Sequence, residues 1–161
     1  MANPKDAGPG EKLRAAWQRL APLPGGKRLF SFFFGRRVPY SGSIAPLVDL
    51  LEPGHARVLL RDRRAVRNHL RSIHAIALVN AGEMCTGLAI SLAMGPDARA
   101  ILTGVSIEYL KKARGTIAAE CRCPASIPTE KREWELEGVL TDAAGDVVAR
   151  TKARWLVAPA G

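Results

Sequence analysis

From Ile73 to Met94 the chain reads IHAIALVNAGEMCTGLAISLAM, apolar or small at almost every position, with Glu83 its only formal charge. The run holds no Pro and stops at Gly95-Pro96, where Gly favours a helix end and Pro cannot continue one. One long buried helix is predicted. Beyond it the period drops from helical to two, the mark of half-buried strands. Ala98 to Leu110 is rich in β-branched and aromatic residues, and Lys111 to Gly115 turns the chain. Ile117, Ala119, Cys121 and Cys123 then alternate with Thr116, Ala118, Glu120 and Arg122. After the loop Pro124 to Thr129, Trp134, Leu136, Gly138 and Leu140 alternate with Glu133, Glu135, Glu137 and Val139. Asp142-Ala143-Ala144-Gly145 has the Asp and Gly of a short hairpin turn. In the last strand, Val147 to Val157, Arg150, Lys152 and Arg154 share one face and would meet the Glu row across the hairpin.

Ahead of the helix the signals are weaker. Ile44 to Leu51 and Ala56 to Leu60 suggest two strands around Glu52-Pro53-Gly54, although Pro46 limits pairing and leaves a helix open for the first. Glu11 to Ala21 reads as a short helix. Arg28 to Phe34 reads as an aromatic segment that packs on the sheet or on a partner. The order is two strands, one helix apolar on nearly all sides, then four antiparallel strands with one polar face. A sheet curled around a single central helix satisfies both patterns. The class is α+β, a curved antiparallel sheet wrapped around one long helix: the hotdog arrangement. The 161 residues make one domain, with residues 1–41 a helical and aromatic N-terminal extension.

Composition narrows the function. At 47% hydrophobic and 24% charged residues the chain is neither disordered nor fibrous. A single apolar run with Glu83 near its middle, His74 and Asn80 inside it, and polar strands after it argues against a membrane span. Cys85, Cys121 and Cys123 are too few and poorly spaced for a disulfide framework or a four-ligand zinc site, and no secretory leader is visible, so the expected location is the cytoplasm. Cys85 sits in an apolar segment that would keep its thiol protonated, which makes packing its expected role.

The net charge of +9 is concentrated in Arg57, Arg61, Arg63, Arg64, Arg67 and Arg71. Such a cluster meets nucleic-acid phosphate, the phosphates of a nucleotide-bearing ligand, or only water. No aromatic residue is interleaved to stack on bases, which argues against nucleic acid. Among candidate reacting groups Glu83 stands first, because an ionised carboxylate in an apolar segment costs several kcal/mol unless paired or neutralised. His55 and His69 read as loop residues without evident partners.

Asn68, then Ile73-His74-Ala75, then Glu83 nine residues after the His, and VSIEYLKKARG from Val105 to Gly115 form an ordered set. The set resembles the small hotdog acyl-CoA thioesterases related to the phenylacetate-pathway enzyme, in particular a branch with Glu in place of the helix Asp. The likeness spans about Ser43 to Val157. It implies that Glu83 is the catalytic carboxylate, either general base or nucleophile. Asn68 would help place the water or the carbonyl, and His74 matches the His at the helix start. Ala75 and Ile76 occupy the place where that family commonly has two glycines and aims a backbone N–H at the thioester oxygen. A helix start offers free N–H groups and a positive dipole end whatever its side chains.

The substrate would be a coenzyme A thioester, with no separate cofactor and no metal. The basic loops, Arg63, Arg64, Arg67, Lys111 and Lys112, would anchor its phosphates. Sheet edges need cover, and sites in that family lie between subunits, so a homodimer or a dimer of dimers is expected. The alternative is a hotdog protein that binds an acyl ligand without turnover or is purely structural. A hydratase is less well matched, because a His paired with an acid in that motif context is not recognisable.

Overall fold

The computed structural model describes residues 8–160. Three helices come first, α1 (Pro9–Leu20), α2 (Gly26–Arg37) and the short α3 (Pro39–Ser43). The strands β1 (Leu47–Glu52) and β2 (His55–Leu60) follow, then a 3-10 turn (Arg64–Val66) and the long helix α4 (Ala75–Ala93). The chain ends in β3 (Ala98–Tyr109), β4 (Ile117–Arg122), β5 (Arg132–Thr141) and β6 (Val147–Pro159). All six strands form one antiparallel sheet in the order β1-β2-β4-β5-β6-β3. The sheet wraps α4, as the two periodicities predict.

α4 is long and apolar enough to cross a bilayer by length and composition, yet most of its residues are buried inside the sheet. Leu78, Met84, Leu88, Ile90 and Leu92 pack into one core with Val58, Leu60, Ile117, Leu140, Val148 and Val157. Each such side chain contributes about 1.5–3 kcal/mol relative to leaving it in water. The helix begins where the ring of His74 caps it, Nδ1 accepting from the Ile76 N–H at 3.1 Å. It ends at Met94, one residue before Gly95-Pro96.

On the outer face Glu135 lies opposite Arg154 and Glu137 opposite Lys152. The ion pairs run diagonally, Arg150 to Glu137 at 3.2 Å and Arg154 to Glu133 at 3.8 Å. In the β5–β6 turn Asp142 accepts from the N–H groups of Ala144 and Asp146.

Three expectations shift. The aromatic segment is helical: it is α2, with Phe30 buried edge-on against Trp17 at 5.0 Å between ring centroids. Phe32 and Phe33 stay outside that contact and are exposed. Ile44 caps the end of α3 and β1 starts at Leu47, because Pro46 has no N–H to give a ladder. His55 lies in β2, not in a loop, and its Nε2 is 2.6 Å from Glu120 on β4.

Candidate active site

Glu83 sits midway along α4, on the one face of the helix that the sheet leaves partly open. Ile76, Val79 and Gly87 share that face by helical spacing, and Ile76 is 54% exposed. Beside it runs β3, an edge strand that returns along α4 from Ala98 at the helix end to Tyr109 at its start. There the Tyr109 hydroxyl donates to the Ala75 carbonyl at 3.1 Å. A bulge between Leu102 and Gly104 sets Leu102 opposite Trp155 and Val105 opposite Ala153. Those partners are buried core residues, so Leu102, Val105 and Tyr109 face the helix side. Val105 and Tyr109 remain 42% and 46% exposed. Helix and strand thus border an open gutter.

The carboxylate of Glu83 has no hydrogen-bond or ion-pair partner among the described residues, and burial alone pushes its pKa up. Gly87 lets the Trp155 ring approach the helix beside it. A Cβ at Gly87 would stand 3.1 Å from the Trp155 ring and 3.9 Å from Glu83 Oε1. Trp155 is held in place by its indole N–H, which donates to Thr86 Oγ1 at 3.1 Å, and Thr86 in turn donates to the Glu83 carbonyl at 2.8 Å. The carboxylate therefore lies against a glycine and an anchored indole. Burial and the absence of a cation keep it a stronger base than an exposed glutamate.

The start of α4 forms a second locus. A cavity of about 290 Å³ lies between α3, the 3-10 turn and α4, and its walls include Tyr40, Arg67, His74, Ile76 and Asn80. His74 is the helix cap, as its position suggests, but it spends the Ile76 N–H on its own ring. The Ala75 N–H keeps no hydrogen bond among the described residues, which makes it the one open donor of the predicted pair. Asn68 folds the preceding loop: its Oδ1 accepts from the Leu70 and Ser72 N–H groups at 2.9 and 3.2 Å and from the Ser72 hydroxyl at 3.2 Å. Asn80, a buried amide donating to the Tyr40 carbonyl at 3.3 Å, faces the same cavity. Asn80 and Tyr109 were not singled out as site residues. Their signals in the sequence were a polar residue on an apolar helix and an aromatic residue at a strand end.

The basic residues scatter. Arg67 pairs with Asp62 at 2.6 Å, and that carboxylate also takes the Gly115 N–H. Lys111 bridges Asp142 and Asp146 at 2.7 and 2.6 Å and ties the β3 end to the β5–β6 turn. Arg63 faces another cavity, beside α2 and α3. Arg64 and Lys112 are exposed. Cys85 is buried; its hydrogen bond with Cys121 and its burial raise its pKa well above the usual thiol range.

Residues 26–157 match the family described as Domain of unknown function (DUF4442). The chain belongs to this family. No curated protein matches it. A structural-genomics crystal structure superposes with a TM-score of 0.80 at 29% identity, over 91% of this chain and 97% of the other. A Pseudomonas aeruginosa protein described as a probable thioesterase aligns at 24% identity with a TM-score of 0.74, over 85% and 97% of the two chains. A phenylacetic acid degradation-related protein of Ralstonia eutropha aligns at 14% identity with a TM-score of 0.63, over 73% and 89%. The shared architecture is the hotdog fold, with α4 as the central helix.

Proposed function

We propose that this protein is an acyl-CoA thioesterase whose active site forms between two copies of the chain. The observation that carries the reading is Glu83: an unpartnered, half-buried carboxylate with a raised pKa, facing an open gutter. Ionised, it draws a proton from water as the oxygen attacks the thioester carbon, the C–S bond then breaks and the departing thiolate takes up that proton; or it attacks the carbon itself, expels the thiolate and forms an anhydride that water hydrolyses to the free acid. The Ala75 N–H, at the positive end of the helix, receives the developing oxyanion. His74 holds the first turn in shape and Asn68 shapes the loop leading into it.

The requirement for two copies follows from distance. At roughly 1.5 Å per residue, Ala75 and Glu83 are about 12 Å apart along the helix axis, and Glu83 Oε1 lies near Gly87, away from the helix start. Both groups must come within about 3 Å of one reacting centre. One chain does not meet that condition. A partner laid antiparallel across the gutter would bring its own Glu83 to this chain's Ala75, and would cover Ile76, Val105 and Tyr109. The exposed edge of β3 favours such an assembly, as a dimer or a dimer of dimers. Arg63, Arg64 and Lys112 are available for the coenzyme A phosphates, whereas Arg67 contributes only by releasing Asp62 and Lys111 only by releasing its two aspartates. The three free thiols suit a reducing compartment such as the cytoplasm.

One observation favours the alternative, an acyl-ligand-binding hotdog without turnover: His74 occupies the Ile76 N–H, which leaves a single oxyanion donor. A complementation experiment decides. Ala75→Pro removes that donor at a position where helices accept Pro, after a residue already extended at ψ 139. Glu83→Gln removes the base. Each variant alone should be inactive. In the mixed dimer one of two sites is wild type, so a statistical mixture should recover about a quarter of the activity. No recovery on mixing would place both groups in one chain and defeat the shared site, and an unmutated protein without turnover on any acyl-CoA would favour the binding reading.

A further inference from the structure

The largest cavity among those described, about 710 Å³, opens between α2, α3 and the segment following β2. Arg28, Arg36, Arg61 and Arg63 all line it, together with Phe32. Among the described residues, none of the four arginines has a carboxylate within ion-pair distance. The acids on the adjoining segments are already engaged. Asp49 takes Lys27 at 2.9 Å and Arg57 at 2.6 Å, and Asp62 takes Arg67. Nε and Nη2 of Arg63 are shielded from solvent and meet no acceptor among the described residues. A guanidinium buried in that way costs the full desolvation of its donors, and three further guanidinium groups around the same space add repulsion. An anion in the cavity would offset the mutual repulsion of the four guanidinium groups and meet the part of Arg63 that lines the space, and a small turn of that side chain would bring its two shielded nitrogens to the anion as well.

The shape of the cavity selects among anions. Its volume falls in the range of small-molecule sites, and its walls are largely apolar apart from the arginines. Phe32 is 58% exposed, with the Arg36 guanidinium 5.9 Å from its ring centroid. An exposed ring in a cavity lined by four guanidinium-bearing residues suits a flat body attached to a polyanion, because guanidinium forks bind phosphate oxygens in pairs and aromatic faces stack on heterocycles. The cavity is also built into the fold. α2 and α3 close its floor where Gly35 and Gly42 touch backbone to backbone, an approach a Cβ on Gly42 would block.

We propose that this arginine-lined cavity of the N-terminal extension is a binding site for a nucleoside diphosphate group. Two sources carry that group: the nucleotide end of a coenzyme A thioester, or a free nucleotide that binds as a separate ligand. Only the first source rests on the thioesterase reading. Ser43 lines both this cavity and the one at the start of α4, so a long ligand could pass over α3 from one to the other.

Titration calorimetry of the full-length chain with ADP and with pyrophosphate tests the site without reference to turnover. ADP should bind, and Arg61→Gln combined with Arg63→Gln should weaken binding at least tenfold. Arg63→Lys, which keeps the charge and loses the fork, should fall between. Phe32→Ala should weaken ADP while leaving pyrophosphate nearly unchanged. Melting curves of each variant confirm that it folds. Failure of ADP to bind the folded wild-type chain, or binding indifferent to both arginine variants, would overturn the proposal. Competition identifies the source. If the cavity holds the substrate's own nucleotide, ADP should raise the apparent KM for an acyl-CoA and leave that of the matching acyl-N-acetylcysteamine unchanged. If it holds a free nucleotide, ADP binds with no effect on either KM.

Discussion

The outer face of β5–β6 and the gutter beside α4 handle charge in opposite ways. On the outer face glutamates look across at arginines and lysine, solvent surrounds them, and Glu137 and Arg150 meet at 3.2 Å. In the gutter Glu83 has lost much of its water and gained no cation. A complementary charge lowers the free energy of the folded state, however slightly. A desolvated charge without a partner raises it. Folding alone would not retain the second arrangement, so the contrast directs attention to Glu83 and away from the more numerous surface charges.

The largest expected effect is on Glu83 itself. Glu83→Gln keeps the shape and removes the base, so kcat should fall by a factor of about a hundred or more. The melting temperature should hold or rise, because the desolvation cost of the charge disappears. Wild-type turnover in a stable variant would make Glu83 a tolerated core residue and dissolve the contrast.

Next comes the wall that keeps the gutter open. Gly87→Val would push into the Trp155 ring, already 3.1 Å from where a Cβ would stand. Overpacking of this kind costs about 1–3 kcal/mol. Turnover should drop as well, since the new methyls crowd the carboxylate. Thermal melts and acyl-CoA assays on one preparation report both effects. A neutral result on both would mean that Trp155 swings away freely and that the Thr86 hydrogen bond does not fix it.

Much of this was legible in the sequence, and the reason is periodicity. The apolar stretch around Glu83, the strand alternations and the Glu and Arg rows are local patterns, and each became the element it suggested. What stayed hidden depends on register and on elements distant in sequence. His55 finds Glu120 because β2 pairs with β4, and Lys111 finds Asp142 and Asp146 because β3 ends over the far hairpin. The arginine cavity draws Arg28 and Arg36 from one helix and Arg61 and Arg63 from beyond β2. Its composition was visible as charge, but its convergence was not. The role of His74 was half legible: its place at the helix start shows in the sequence, but the loss of the Ile76 N–H to its ring does not.

The pH response offers a smaller, sharper test. Burial raises the Glu83 pKa, so the folded chain holds that proton more tightly than the unfolded one. Its contribution to stability is therefore full below the ordinary carboxyl range and lost as pH rises through the elevated value. Asp142 and Asp62 behave in reverse. The hydrogen bonds from Lys111 and Arg67 lower their pKa values, and the stability they add is lost as pH falls. Turnover should switch on as pH rises through the Glu83 ionisation. Comparing wild type with Glu83→Gln between pH 4 and 8, roughly the span of shifted carboxyl values, isolates the first component. The variant should gain stability relative to wild type towards neutral pH, and a constant difference across the range would show that Glu83 titrates like a solvated carboxyl.

The smallest effect belongs to the outer ladder, and its smallness is the point. Glu137 and Arg150 are 44% and 41% exposed. Their attraction is therefore exerted largely through water, and fixing two long side chains costs entropy. Pairs of this kind contribute about 0–1 kcal/mol. Glu137→Ala should accordingly lower stability by less than about 1 kcal/mol and leave turnover untouched. The difference should shrink further in high salt, which screens exposed charges beyond a few ångströms. A double-mutant cycle with Arg150→Ala measures the pair alone. A coupling of several kcal/mol, insensitive to salt, would mean that the outer face is covered in the assembled protein. The ladder would then be an interface, and its charges would belong with Glu83 among the groups that folding of a single chain does not explain.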